Sequence, residues 1–227
     1  MASSSRRSAR PLTVSVDVVA LTPRLGALGV AVLPSDDGPR ERWMLPWGMV
    51  GDGESPEDGA RRVTQAVLGR APALVTQVGA LGGAKRHPGN AQLSIGCIAL
   101  VATGTDEALE RGARWVPVDP APPLGPRHRL ILGEALAALR RRLGDEPLAF
   151  RLLPPAFTLS ELQAVYEMLL GRALHKASFR RTLHAAEVVE PTDEWRSEGR
   201  GRPAQLFRFV PGNPGADRHL VRFDFGD

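Results

Sequence analysis

Between Leu45 and Arg70 the chain reads LPWGMVGDGESPEDGARRVTQAVLGR, which gathers carboxylates, guanidiniums and one indole on a short stretch. Carboxylates at helical spacings i, i+3 and i+4 share one helix face. There they hold a divalent metal, which binds diphosphates and activates water. The acids present are Glu54, Glu57 and Asp58. Glu57 and Asp58 also fit a helix start, with Ser55 as N-cap, Pro56 at the first helical position and acids in the first turn. The helix predicted over 56–68 then ends at Gly69. Further along it, positions 63, 66 and 67 share a face and hold Val63, Ala66 and Val67, which offer no oxygen. Arg61, Arg62 and Arg70 make this helix basic, a better match to phosphate than to a metal. No catalytic residue, metal or cofactor is assigned.

The spacing of Gly48, Glu54 and Arg62 resembles the Nudix box, G-x5-E-x7-R-E-U-x-E-E-x-G-U, with U a bulky aliphatic residue. The resemblance keeps the frame and loses all three helix glutamates, which become Val63, Ala66 and Val67. It implies a Nudix-like domain without hydrolase chemistry. A hydrolase of nucleoside diphosphate derivatives such as ADP-ribose is the alternative, and Glu54 alone is a poor metal site for it.

A second concentration of charge lies far downstream. Arg172, His175, Lys176, Arg180, Arg181 and His184 fall within thirteen residues that contain no acid. Arg196, Arg200 and Arg202 follow beside Gly199 and Gly201. Arginines on a helix can grip phosphates or take guanine edges bidentately. A basic glycine-rich hairpin tip suits phosphate or the minor groove. The plainer reading of both runs is solvated surface. Against it, residues 151–227 carry eleven Lys and Arg against ten Asp and Glu, so the positive charge is local.

The elements that must position these groups follow from periodicity. Strands are expected at 12–21, 29–33, 74–81, 93–101 and 115–118, with a Gly-rich loop over 82–90 and a long amphipathic helix from about 127 to 143. Thr158-Leu159-Ser160-Glu161 is a capping box. It opens a helix that carries Leu162, Val165, Tyr166, Leu169 and Leu170 at helical spacing and stops at Gly171. A helix over about 176–185 turns Phe179 and Leu183 inward. Short strands at 188–191 and 203–210 flank a polar turn at 192–202. Helix, turn, helix and hairpin form a winged helix-turn-helix. The domain reading is a flexible tail over 1–10, a ligand-sensing domain over 11–145, a DNA-binding domain over 146–211 and a tail over 212–227, with separate cores in the two domains. The role of His219–Phe225 stays open between an added strand and tail.

The 227 residues are 43% hydrophobic, enough for real cores, and no apolar run approaches a membrane span. The start MASSSRRSAR lacks the apolar segment of a secretory signal. Cys97 is alone among apolar neighbours and reads as a packed core thiol. These features point to a cytoplasmic protein. The net charge of +4 hints at nucleic acid without establishing it.

Both halves together resemble the Nudix-related transcriptional regulators known for controlling NAD metabolism, over roughly 13–210. Phe157-Thr158-Leu159-Ser160-Glu161-Leu162-Gln163, Tyr166-Glu167, Leu170-Gly171 and Leu174 resemble the first winged-helix segment. Lys176 and Phe179-Arg180-Arg181 resemble the recognition helix, and Gly201-Arg202-Pro203-Ala204 with Leu206-Phe207-Arg208-Phe209 resembles the wing return. The resemblance implies an α+β chain, with a mixed α/β Nudix-like sheet sandwiched by helices and a C-terminal winged helix. It also implies a dimeric regulator, expected to be a repressor, that binds double-stranded operator DNA and responds to a nucleotide or phosphorylated metabolite. DNA contact is expected from Lys176, Ser178, Arg180, Arg181, Arg200 and Arg202. Effector contact is expected from Trp47, Glu54, Arg62, Lys85 and Arg86.

Two positions depart from the family pattern. Leu45-Pro46-Trp47-Gly48 stands where Leu-Pro-Gly-Gly is usual, so Trp47 either stacks on a base or fills space. Lys85-Arg86-His87-Pro88 stands where Asp-Arg-Asp-Pro is common, so that loop is either an anion site or plain surface. His128 falls where the family often has a histidine, with no role established. A regulator whose first domain is only a dimerisation scaffold remains the other reading.

Overall fold

The computed structural model describes residues 12–35, 43–83, 87–103, 109–197 and 203–211. The tail 1–10, Lys85, Arg86, Arg200, Arg202 and the segment 212–227 lie outside the described residues.

Seven strands form a mixed sheet. β1 (Val14–Arg24) and β2 (Ala27–Pro34) make an antiparallel hairpin. Its turn places Leu25 and Gly26 at φ 49° and 77°, the pair of positive values a two-residue hairpin turn requires. β3 (Trp43–Met44) pairs antiparallel with β2, and β4 (Trp47–Met49) pairs antiparallel with β1. After helix α1 (Pro56–Leu68) come β5 (Leu74–Gly82) and β6 (Leu93–Leu100), antiparallel to each other, with β6 parallel to β1. β7 (Arg114–Pro117) closes on β2, and helix α2 (Pro126–Arg142) follows.

Period-two alternation in β1 divides the residues between two layers. Val16, Val18 and Ala20 face α1 and pack with Ala60, Val63, Val67, Leu68, Cys97 and Ala99. Val19 and Leu21 face the other way, towards Ile131, Leu132, Ala135 and Leu139 of α2. The sheet is thus sandwiched by helices, as expected.

The carboxy-terminal part contains α3 (Leu159–Leu170), α4 (Lys176–Ala186) and the hairpin β8 (Val189–Arg196) and β9 (Ala204–Phe209). Thr158 Oγ1 accepts from the Glu161 N–H, and Glu161 accepts from the Thr158 N–H, completing the capping box. Phe179 and Leu183 are buried.

Two expectations need correction. The polar turn was placed from Thr192, yet β8 runs on to Arg196. A bulge between Pro191 and Trp195 absorbs the irregular register, and the Thr192 hydroxyl donates to the Leu206 carbonyl across the pair. Separate cores were also expected. One buried apolar cluster instead runs from Val30 and Ile98 of the sheet through Leu139, Leu148, Phe150 and Leu152 to Leu162, Tyr166 and Phe179. The 3-10 turn Ala149–Leu152 forms the bridge and buries Ala149, Phe150 and Leu152. Phe150 lies 5.8 Å from Phe157 and 4.4 Å from Phe209, ring centre to ring centre. No helix among the described residues is long and apolar enough to cross a membrane.

Candidate functional site

The local chemistry of α1 explains its boundaries. Ser55 Oγ accepts the Asp58 N–H at 3.1 Å, Pro56 opens the first turn, and Gly69 closes the helix at φ 68°. Asp58 pairs with Arg61 at 2.9 Å, and Glu57 accepts from the Gln77 amide at 2.8 Å. Both acids therefore serve the helix start and the neighbouring strand.

Glu54 and Arg62, expected at an effector site, are brought together with each other. Arg62 donates through Nε and Nη2 to the two Glu54 oxygens, 2.7 Å each, and through Nη2 to the Met49 carbonyl at 3.0 Å. The Gly51 N–H also donates to Glu54 at 2.9 Å. This fork ties the loop after β4 to the helix. The Arg62 hydrogen bonds, joined by that of Gly51, hold the Glu54 carboxyl down to about 2, below its ordinary value of 4.5. A depressed folded-state value means that the clip stabilises fully above about pH 4.5 and is lost as pH falls towards 2. Carboxyl titration by NMR is expected to show a low midpoint for Glu54 that returns to the ordinary range in Arg62→Ala. An unchanged midpoint in that variant would refute the clip.

Two of the three positions where a catalytic box carries glutamates have become part of the core. Val67 is fully buried and Val63 is 5% exposed, both in the cluster with Val16 and Val18. Ala66 is exposed and has no carboxylate to offer. Cys97 lies in the same layer, and burial, assisted by Glu57 and Asp17, pushes its thiol up to about 12. That core thiol is inert.

Sequence reading missed a buried polar cluster on the opposite face. Asp17 of β1, His87 of the 87–90 segment and His128 of α2 place ligand-type atoms within 4.8 Å of one another. All three are at most 2% exposed. The hint available in sequence was Asp17 itself, one acid inside the apolar run VSVDVVAL. His128 is visible in sequence as a family position, without a partner.

The composition of the cluster resembles a two-histidine, one-carboxylate metal site, but its hydrogens are arranged otherwise. Nδ1 of His87 accepts the Gly89 N–H at 3.0 Å, and Nδ1 of His128 accepts the Leu45 N–H at 3.1 Å. An uncharged imidazole that accepts at Nδ1 carries its hydrogen on Nε2. Both Nε2–H groups accordingly donate to Asp17 Oδ1, each at 2.8 Å, while the Ser15 hydroxyl donates to Oδ2 at 2.7 Å. A metal-bound histidine does the reverse and donates its second N–H outward. Metal on either Nε2 here would force a hydrogen onto Nδ1, facing a backbone N–H. These residues do not fit a metal in this arrangement.

Burial pushes the Asp17 carboxyl up, but hydrogen bonds from His128 and His87 outweigh it and hold the group well below the usual carboxylate range. The Ser15 hydroxyl that donates to it is the first link of a chain to Arg127. Ser15 Oγ lies 3.1 Å from Ser94 Oγ, and Arg127 Nη1 reaches Ser94 Oγ at 3.4 Å and the Ala91 carbonyl at 2.7 Å. Treatment with a chelator, or addition of Zn²⁺ or Mn²⁺, is expected to leave the melting temperature unchanged. Stoichiometric metal retained through gel filtration would overturn this assignment.

Trp47 lies over this cluster. Its ring stands edge-on to His87 at 4.8 Å between centres, and a Cβ built on Gly89 would meet the indole at 2.2 Å. Glycine at 89 thus permits the indole to seat, and Trp47 stays half-buried.

On α4, Lys176, Arg180 and Arg181 are exposed and Ser178 is half-buried, with no acid in the first turn. Arg196, grouped in sequence with the basic turn, instead pairs with Glu161 at 2.6 Å and braces β8 against the start of α3.

Residues 149–209 match the family model described as the NrtR DNA-binding winged helix domain. The chain is 32% identical over 206 residues to the ADPR responsive transcriptional repressor NtrR of Acinetobacter baylyi, covering 87% of this chain and 82% of that protein. The crystal structure of Shewanella oneidensis NrtR superposes with TM-score 0.73 and 25% identity, covering 92% of this chain and 98% of that one. The same protein complexed with a 27mer DNA gives TM-score 0.72 and 25% identity, covering 87% and 93%.

Proposed function

Because the chain belongs to the NrtR family of Nudix-related transcriptional regulators, we propose that it is a ligand-responsive repressor that binds operator DNA as a homodimer and acts in the cytoplasm. The observation that carries this reading is the division of labour between two helices. α1 has turned the metal-ligand positions of its box into core through Val63 and Val67, while α4 keeps an exposed basic face free of acids in its first turn. One domain has given up the groups that hydrolysis needs, and the other presents what DNA recognition needs.

On α4, Lys176, Ser178, Arg180 and Arg181 would meet the major groove; Arg200 and Arg202 would contact phosphate from the wing. The effector would be a nucleotide, with ADP-ribose first among the candidates because the Acinetobacter relative is named as ADPR responsive. Trp47 would offer the indole as a stacking surface, and Lys85 and Arg86 would supply charge to a diphosphate. Glu54 and Arg62 would shape the site by holding the β4–α1 loop rather than by touching the ligand. Domain limits near 11–145 and 146–211 fit this division, with the continuous core joining them.

Fluorescence anisotropy with a labelled operator tests the reading. The protein is expected to bind operator over scrambled DNA with a steep salt dependence, and ADP-ribose is expected to shift that affinity. Equal affinity for both DNAs at two salt concentrations would remove the repressor reading. Metal-dependent turnover of ADP-ribose that is lost in Glu54→Gln would favour the hydrolase alternative.

A further inference from the structure

We propose that α2 is the lever that carries effector occupancy to the winged helix, and that His128 is the residue positioning it; this rests on the effector-responsive reading above. The first turn of α2 is pinned from several directions. Arg127 donates to the carbonyls of Gly83 and Ala91, at 3.1 and 2.7 Å, which flank the loop. His128 donates to Asp17 of β1 and accepts from Leu45, two residues before Trp47. His87, on the same loop, shares the Asp17 oxygen with His128.

Trp47, half-buried and edge-on to His87, couples this cluster to the solvent side where the effector is proposed to stack. The indole rests on His87 and Gly89, so a ligand that shifts Trp47 must move the segment that carries His87. Displacing the His87 ring leaves Asp17 Oδ1 with His128 as its one imidazole donor, which changes the balance that sets the position of His128 and the first turn of α2.

The other end of the helix lies about 25 Å away, at 1.5 Å per residue. There Arg140 Nε donates to the Leu169 carbonyl in the last turn of α3, at 3.3 Å. Arg142 Nη1 donates to Thr76 of β5 at 2.9 Å. Between the ends, Ile131, Leu132, Ala135, Ala138 and Leu139 are buried in the same cluster as Leu162 and Val165 of α3. A close-packed interior transmits such a displacement instead of absorbing it. A tilt of α2 at His128 therefore moves α3, and with it α4 and the basic face.

The experiment measures coupling as the ratio of operator Kd with and without saturating ADP-ribose, with ADP-ribose affinity read separately by calorimetry. His128→Phe keeps the ring volume and removes both hydrogen bonds, whereas His128→Gln keeps a donor for Asp17. Wild type is expected to show a ratio of about fivefold or more. His128→Phe is expected to bind each ligand within a few-fold of wild type while its ratio falls near one, and His128→Gln is expected to restore most of it. Arg140→Ala, at an exposed residue at the far end, is expected to lose the ratio in the same way, and it alone decides if His128→Phe does not fold. Wild-type ratios in the folded variants would overturn the lever alone. A wild-type protein that binds operator with a ratio of one would overturn the effector reading and the lever with it.

Discussion

Arg180→Glu or Arg181→Glu is expected to abolish specific operator binding while leaving the fold and ADP-ribose binding intact. Both residues are exposed on α4, whose inward face is held by Phe179 and Leu183, so neither contributes to the core. The reversal removes a cation from the DNA and sets an anion against phosphate. Truncation to alanine at a base-reading position costs about 1–3 kcal/mol and relaxes sequence preference. Charge reversal adds repulsion and should exceed that. Arg200→Ala or Arg202→Ala is expected to weaken operator and scrambled DNA alike and to flatten the salt dependence, the mark of a phosphate contact. Anisotropy titrations at two salt concentrations separate the two behaviours. Undiminished operator affinity in both glutamate variants would make the basic face ordinary solvated surface.

What could be read from sequence follows the range of the interactions involved. α1 spans Pro56–Leu68 as expected because its limits are local: Ser55, Pro56 and Gly69 act within a few residues of the chain. The capping box at Thr158 was legible for the same reason. The length of β8 was not, because Arg196 is held by Glu161, 35 residues earlier, and no local pattern announces that pairing. The Asp17 cluster was hidden more deeply. His87 and His128 are 70 and 111 residues from Asp17, and only the parallel pairing of β1 with β6 and the packing of α2 on the sheet bring them together. Glu54 and Arg62 are legible as a spacing, and their pairing with each other is not. Spacing shows that two charges can meet, not that they satisfy each other. The shared core escaped notice because Pro154-Pro155 and Gly144 look like a linker, whereas Phe150 between them is an anchor.

Restoring the box glutamates is expected to unfold the protein before it restores an enzyme. Val67 is fully buried against the β1 residues Val16 and Val18, in the layer where burial already pushes the Cys97 thiol up to about 12. Among the described residues a carboxylate there would find the nearest helix cations already engaged, Arg62 with Glu54 and Arg70 with the Ala102 carbonyl. An uncompensated buried charge costs on the order of 3–5 kcal/mol. Val67→Glu should lose that much in urea denaturation at pH 7, and Ala66→Glu, at an exposed position one residue earlier, should lose almost nothing. The pH dependence separates charge from shape. A buried glutamate has a raised folded-state pKa, so the folded state holds its proton longer than the unfolded chain. The deficit should therefore be small near pH 4 and grow as pH rises above the unfolded value of about 4.3. A deficit constant from pH 4 to 8 would indicate overpacking instead. Two residues thus separate this domain from hydrolase chemistry through its core: Mg²⁺ can gather around this helix only if the face holding Val63 and Val67 leaves the sheet. A Val63→Glu/Ala66→Glu/Val67→Glu protein that stayed folded and turned over ADP-ribose with Mg²⁺ would show the box to be a dormant metal site rather than a converted one.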